Sequence, residues 1–166
     1  MSLIKMSTMH TYPAARPLTA DQILELHAAR VLLLIHLCGE DNKIYGTQKF
    51  AKLDFFARFP QCFARVQKHL NGETLDDSTE SALLYYGSSD SRYGEVLNYL
   101  RDRNLLRFTA YGQDVVLHLT ESGLSYAERL TTSPTYLELC QHMRAVYALL
   151  GSMNSIELKD LIHATF

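Results

Sequence analysis

Along the first third of the chain, apolar side chains recur at helical spacing. Ile23, Leu24, Leu26, Val31, Leu34 and Ile35 mark a helix that Thr19 caps and Gly39 stops, with Asp21 and Gln22 suited to its first turn. Its second half is apolar on every side, so the helix is expected to run through the core. Lys43-Ile44-Tyr45 reads as one short strand, and Thr47 as the cap of a helix carrying Phe50, Leu53, Phe55 and Phe56. Pro60 interrupts, and Phe63, Val66 and Leu70 continue a further helix to Asn71-Gly72. An acidic loop from Glu73 to Glu80 follows, then a short apolar segment from Ala82 to Tyr86 and the turn cluster Gly87-Ser88-Ser89-Asp90. Asp90 or Ser91 caps a helix through Arg103 whose inner face is Tyr93, Val96, Leu97 and Leu100.

At Leu106 the period changes from helical to alternating. Leu106 and Phe108 face one way and Arg107 and Thr109 the other, Tyr111-Gly112-Gln113-Asp114 turns, and Val115, Leu117 and Leu119 alternate with Val116 and His118. This predicts a β-hairpin. Thr120 caps the next helix, which runs to about Thr132. Ser133-Pro134 opens a long helix to Leu150, and Asn154 with Glu157 three residues on fits a capping box before a last helix ending at Phe166.

Helix, short strand, two helices, a recognition-position helix and a hairpin give a mainly α fold. The expectation is a winged helix-turn-helix with a β-hairpin wing and additional C-terminal helices. Residues 1–18 read as an N-terminal tail or strap, 19–132 as the winged-helix domain, and 133–166 as a C-terminal helical extension packed on the same domain.

Composition narrows the function. The 166 residues carry 16 Lys and Arg against 18 Asp and Glu, a net charge of −2, whereas a chain that binds DNA alone usually has a basic excess. Two local clusters are candidate DNA contacts. The recognition-position helix and wing offer Arg92, Arg101, Arg103 and Arg107, offset by Asp90, Glu95, Asp102 and Asp114. Lys49, Lys52, Arg58, Arg65 and Lys68 form a more convincing stripe, since Lys49 and Lys52, and likewise Arg65 and Lys68, lie three apart on one helical face. The apolar run Val31 to Ile35 is far short of a membrane span, and the N-terminus lacks a signal-peptide pattern. Cys38, Cys62 and Cys140 are widely spaced and read as reduced core thiols, which suits the cytoplasm.

Catalytic and metal chemistry find no foothold in the sequence. His27, His36, His142 and His163 make no HxxxH or HExxH pair, no Walker-type glycine loop or GxSxG elbow occurs, and Asp76, Asp77 and Glu80 have no partner base. The expectation is a non-enzyme with no metal and no cofactor.

Four segments carry a family resemblance. Lys49-Phe50-Ala51-Lys52-Leu53-Asp54-Phe55-Phe56-Ala57-Arg58-Phe59-Pro60 resembles a K-L-A-K-L-D-F-x-x-R-Y-P signature. Tyr86-Gly87 through Asp90, Arg92 and Tyr93 resembles Y-G-P-W-D-x-R-Y, with Ser88-Ser89 in place of Pro-Trp. Leu119-Thr120-Glu121-Ser122-Gly123 resembles the L-T-x-x-G that follows many wings, and Gly151 through Leu158-Lys159, Ile162 and Thr165-Phe166 resembles G-x-x-L-K-x-x-I-Y-E-T-F. Over roughly Gln22 to Phe166 the chain is similar to the middle component of bacterial ABC-three-component systems, the group that includes the small third subunit of Lamassu-type defence systems. The resemblance implies an accessory or scaffold subunit that joins an SMC-like ATPase to an effector nuclease. Such a complex senses phage or plasmid DNA and meets double-stranded DNA as an assembly. Candidate partner contacts are Phe55, Phe56, Tyr86, Tyr93, Tyr99, Tyr136, Tyr147, Lys159 and Phe166. The alternative is a dimeric winged-helix transcription regulator that pairs through the long C-terminal helix.

Overall fold

A computed structural model describes residues 20–76, 82, 84, 85 and 93–166. The N-terminal tail, the Thr19 cap, the second half of the acidic loop, Tyr86, the Gly87–Asp90 turn, Ser91 and Arg92 lie outside the described residues. Among the described residues the chain is mainly helical, with one small three-stranded antiparallel sheet.

Helix α1 (Ala20–Cys38) is the axis of the core. Ala28, Ala29 and the whole run from Val31 to Ile35 are buried, because helices α2 (Thr47–Arg58), α4 (Tyr93–Asp102), α5 (Glu121–Thr131) and α6 (Leu137–Leu150) pack around it together with the sheet. This is the all-round apolar helix that the pattern predicts. Helix α3 (Pro60–Leu70) starts with Pro60 in its first turn, where the missing N–H costs nothing. Helix α7 (Ser155–Thr165) closes the chain over α2 and α3. Leu158 and Ile162 of α7, with Cys140, Met143, Val146 and Leu150 of α6, belong to the same continuous core as α1. All three cysteines are buried thiols, and burial pushes Cys38 up to about 12.

Strands β1 (Lys43–Tyr45), β2 (Leu106–Tyr111) and β3 (Asp114–Leu119) lie in the order β1-β3-β2. Asp41 and Asn42 both take positive φ, 51° and 59°, and turn the chain sharply from α1 into β1. The register sets Ile44, Leu117 and Phe108 side by side toward the core, and Lys43, His118 and Arg107 side by side on the opposite face.

Two helix starts differ from expectation. Thr47 does not cap α2: it is the first helical residue, behind Gly46 at φ 97°. The capping oxygens come from far along the chain instead. The Asp114 carboxylate accepts from the Thr47 backbone N–H at 3.0 Å and from the Thr47 hydroxyl at 3.0 and 3.1 Å, and also from the Val115 N–H at 2.8 Å. A carboxylate there also complements the helix dipole. Ser133-Pro134 opens not the long helix but a single 3₁₀ turn, Pro134–Tyr136. Tyr136, with φ −106° and ψ 8°, steps out of helical geometry as its side chain enters the core, and α6 begins at Leu137. The other two caps are as predicted. The Thr120 hydroxyl accepts from the Gly123 N–H at 3.0 Å, and Asn154 with Glu157 forms a complete capping box.

Gly123 is required by a close approach. A Cβ there would stand 2.0 Å from the Leu105 carbonyl oxygen, so α5 rests directly on the α4–β2 connection. Gly123→Ala therefore loses about 1–3 kcal/mol to overpacking, which outweighs the ~1 kcal/mol that alanine gains in a helix. Gly94→Ala, with nothing within 4 Å among the described residues, goes the other way by up to about 1 kcal/mol. Urea titrations check both, with midpoints moving in opposite directions at an unchanged slope.

Candidate functional site

Helix α2 brings the motif residues together. Its sequence leaves almost no outward face: Phe50, Lys52, Leu53, Asp54, Phe55, Phe56 and Ala57 are all buried. Among them Asp54 is wholly buried, and a carboxylate there must find cations or donors. Arg30 of α1 reaches it with Nε at 2.8 Å and Nη2 at 3.4 Å, a two-pronged contact. Arg58, one turn further along α2, approaches with Nε at 3.1 Å. Tyr93 of α4 donates its hydroxyl to Oδ2 and accepts from Arg58 Nη2 at 3.3 Å. His27 Nδ1 lies 2.8 Å from Arg30 Nη1 and extends the network. Burial first, and then the Asp54 charge, raises the Tyr93 phenol above its ordinary range, so it stays a donor.

A second cluster forms around the C-terminus. Phe166 lies 6.1 Å from the ring of Phe55, 6.5 Å from Phe56 and 6.1 Å from Tyr85, while Phe55 and Phe56 meet edge to face at 5.2 Å. Arg65 Nε donates to the Thr165 carbonyl at 2.7 Å, and His142 Nε2 lies 2.8 Å from the Phe56 carbonyl. The first and last family-like segments therefore touch each other, and the second reaches them through Tyr93.

This placement corrects several expected contacts. Phe55 and Phe56 are core residues covered by α7, so they serve the fold and not a partner, and the half-buried Phe166 packs on them. Tyr136 is buried, its phenol pushed up to about 12 by burial and then by Glu25. Tyr93 is half-buried and tied to Asp54. Tyr99 is half-buried, with the Arg103 guanidinium stacked 3.6 Å above its ring. Tyr147 and Lys159 are exposed, as a partner contact must be.

The stripe from Lys49 to Lys68 does not form one basic surface. Lys49 Nζ donates to the Gly151 carbonyl at 2.8 Å and Arg65 to Thr165, so each closes the C-terminal end of a helix, where a cation suits the dipole. Arg58 is committed to Asp54. Lys52 is buried beside Gln48, and its pKa is lowered by burial and then by Lys159. Lys68 alone of the five is exposed. Equal spacing on a helix face could not reveal this, because the carbonyls that take these cations lie about a hundred residues away. Arg101, Arg103 and Arg107 are exposed, Arg101 lying over the Phe108 ring at 5.6 Å and against Asp102 at 3.5 Å. Lys43 and His118 fall outside both basic clusters read from the sequence. Only the strand register brings them into line with Arg107.

Among the described residues no group of three or more His, Cys, Asp or Glu side chains is placed to hold a metal ion. No described helix is long and apolar enough to cross a membrane. Compared with known protein families, with curated proteins and with solved structures, the chain matches none of them.

Asp54→Asn leaves two half-buried guanidiniums without their counter-charge. It is expected to cost about 3–5 kcal/mol, which for a chain of this size lowers Tm by roughly 6–20 °C. Thermal unfolding followed by circular dichroism reads the drop, and an unchanged Tm would remove Asp54 from its central place. A second outcome concerns alkali. Tyr93 and Tyr136 hold their protons in the folded chain when free phenols ionise near pH 10. The folded state then binds more protons than the unfolded one, so stability is full below pH 10 and falls as the pH rises beyond it. Tm measured from pH 9 to 11 declines in wild type, and Tyr93→Phe and Tyr136→Phe each flatten that decline.

Proposed function

We propose that this chain is a non-enzymatic accessory subunit of the winged-helix type, bridging an SMC-like ATPase and an effector nuclease in a cytoplasmic defence complex of the Lamassu kind. The observation that carries the reading is the convergence of the family-like segments on α2. Asp54, Arg58 and Tyr93 come from two of them and close one ionic network, while Phe55, Phe56 and Phe166 close one aromatic cluster. Residues far apart in sequence that meet in this way are accounted for as the frame of a fold.

The winged-helix assignment is supported by the element order. A helix, a strand, three described helices and a hairpin are joined into a sheet of order β1-β3-β2, in which the first strand pairs with the last. Helix α4 stands directly before the hairpin, in the recognition position. A protein-facing role is supported by the C-terminal helices, where Leu137 and Tyr147 of α6 and Ile156 of α7 are exposed at 52%, 41% and 70%. Large apolar side chains so placed, with Lys159 on the same helix as Ile156, suit contact with another protein.

Co-expression with an SMC-like ATPase encoded beside this chain is expected to give one co-eluting complex in size-exclusion chromatography. Ile156→Asp and Tyr147→Asp are expected to release the chain while leaving its own Tm within about 2 °C, since surface changes cost little stability. Elution of the wild-type chain as a lone monomer in the presence of the ATPase overturns the reading. A stable homodimer that binds its own promoter favours the transcription-regulator alternative.

A further inference from the structure

The outer face of the sheet has a composition unlike the rest of the surface. Lys43 of β1, His118 of β3 and Arg107 of β2 are direct cross-strand neighbours, so their side chains leave the sheet in one row. With strands about 4.8 Å apart the row spans roughly 10 Å. One position along the strands, Tyr45, Val116 and Thr109 form the next row on the same face, and Tyr111 follows. Tyr45 and Tyr111 are 43% and 52% exposed and meet edge to face at 5.5 Å. The Thr109 hydroxyl and His118 Nε2 lie 2.7 Å apart.

Acidic side chains border this face. Asp114 shares the face by its position in β3, yet its carboxylate is bound to the N-terminus of α2 through Thr47. Glu40 pairs with Lys43 in an antiparallel bridge across the turn before β1, so it stands at the end of the same row, and its charge also acts on Lys49. The charges that act on His118 are both cations, Arg107 and Lys43, and together with burial they lower its pKa. The groups of this face are therefore an ammonium, a guanidinium, an imidazole and three hydroxyls, against one carboxylate at its margin. Their complement is extended, negative and rich in acceptors.

We propose that the outer face of this sheet seats the phosphate backbone of double-stranded DNA, with Lys43, His118 and Arg107 in line on the phosphates and the Tyr45, Thr109 and Tyr111 hydroxyls beside them. A duplex strand presents one charge per ~3.4 Å of axis, so a row of roughly 10 Å meets about three phosphates. Backbone contacts of this kind carry no sequence preference. Three contacts give weak binding, with a dissociation constant of roughly 10–100 µM at low salt. Such a site becomes effective when a larger complex holds the chain on DNA, where the local concentration is of order millimolar. The inference goes beyond the accessory role, because it is a property of this chain alone.

Fluorescence anisotropy of a labelled random-sequence duplex of about 20 base pairs, titrated with the full chain at about 50 mM salt, tests it. The expected result is saturable binding whose logarithm falls with log salt at a slope of about −2 to −3. Lys43→Gln and Arg107→Gln are each expected to weaken it about tenfold and to reduce the slope by about one. Lys68→Gln is expected to leave it unchanged, and all three variants to melt with wild type. In the wild-type chain, NMR titration of His118 is expected to show its pKa rising when duplex is added, since phosphate favours the imidazolium. Unaltered duplex binding in Lys43→Gln and Arg107→Gln, or a His118 pKa unmoved by duplex, overturns the proposal. So does loss of ATPase capture in those two variants with duplex binding intact, which would make the face a protein interface. Failure of the wild-type chain to join the ATPase would sink the accessory role and leave this inference standing.

Discussion

Burying the Asp54 carboxylate is costly unless charge and hydrogen bonds meet it inside the fold. Arg30, Arg58 and Tyr93 meet it from α1, α2 and α4, so the position of one side chain fixes how three helices stand relative to each other. A hydrophobic contact tolerates small rotations of a helix, because its attraction is not directional. A carboxylate shared by two guanidiniums and a phenol does not, because each bond needs its own distance and angle. The aromatic cluster of Phe55, Phe56, Tyr85 and Phe166 then packs on a helix whose rotation is already set.

Much of the architecture was legible in the sequence, because it rests on local rules. The all-round apolar run of α1, the Asn154–Glu157 capping box, the Thr120 cap and the alternating hairpin are each encoded within a few residues. The departures share the opposite cause. Thr47 reads as a cap on local chemistry, but the oxygen that takes its N–H belongs to Asp114, 67 residues on. Lys49 and Arg65 read as a basic stripe, yet each is drawn to a carbonyl at the end of a helix that folds back from the C-terminal part of the chain. The cationic row was hidden for the same reason. Lys43 and His118 are neighbours only once β1 has paired with β3.

The family-like segments show why a motif does not announce its role. Leu53 to Pro60 contains a carboxylate, an arginine and aromatics, which are also the ingredients of a binding site. In three dimensions these groups are consumed by one another and by Tyr93, Arg30 and Phe166. Surface chemistry is left to positions outside Leu53 to Pro60: the sheet's outer face, and the exposed apolar side chains of α6 and α7. In the proposed role these two surfaces let the chain hold a protein and a nucleic acid at once.

Asp114 gives the hairpin a mechanical meaning. Its carboxylate is clamped to the first turn of α2, the Gly46 N–H reaches the Val115 carbonyl at 3.0 Å, and α2 carries Asp54 at its centre. Traction on the β2–β3 hairpin is therefore passed along a stiff line, from strand to helix start, from helix to the ionic network, and from there to α1 and α4. The hairpin is fastened to the body at its turn, where Asp114 faces Tyr111, and is not a loose flap, so its two ends are both held: the turn by the start of α2 and the base by the helices it joins.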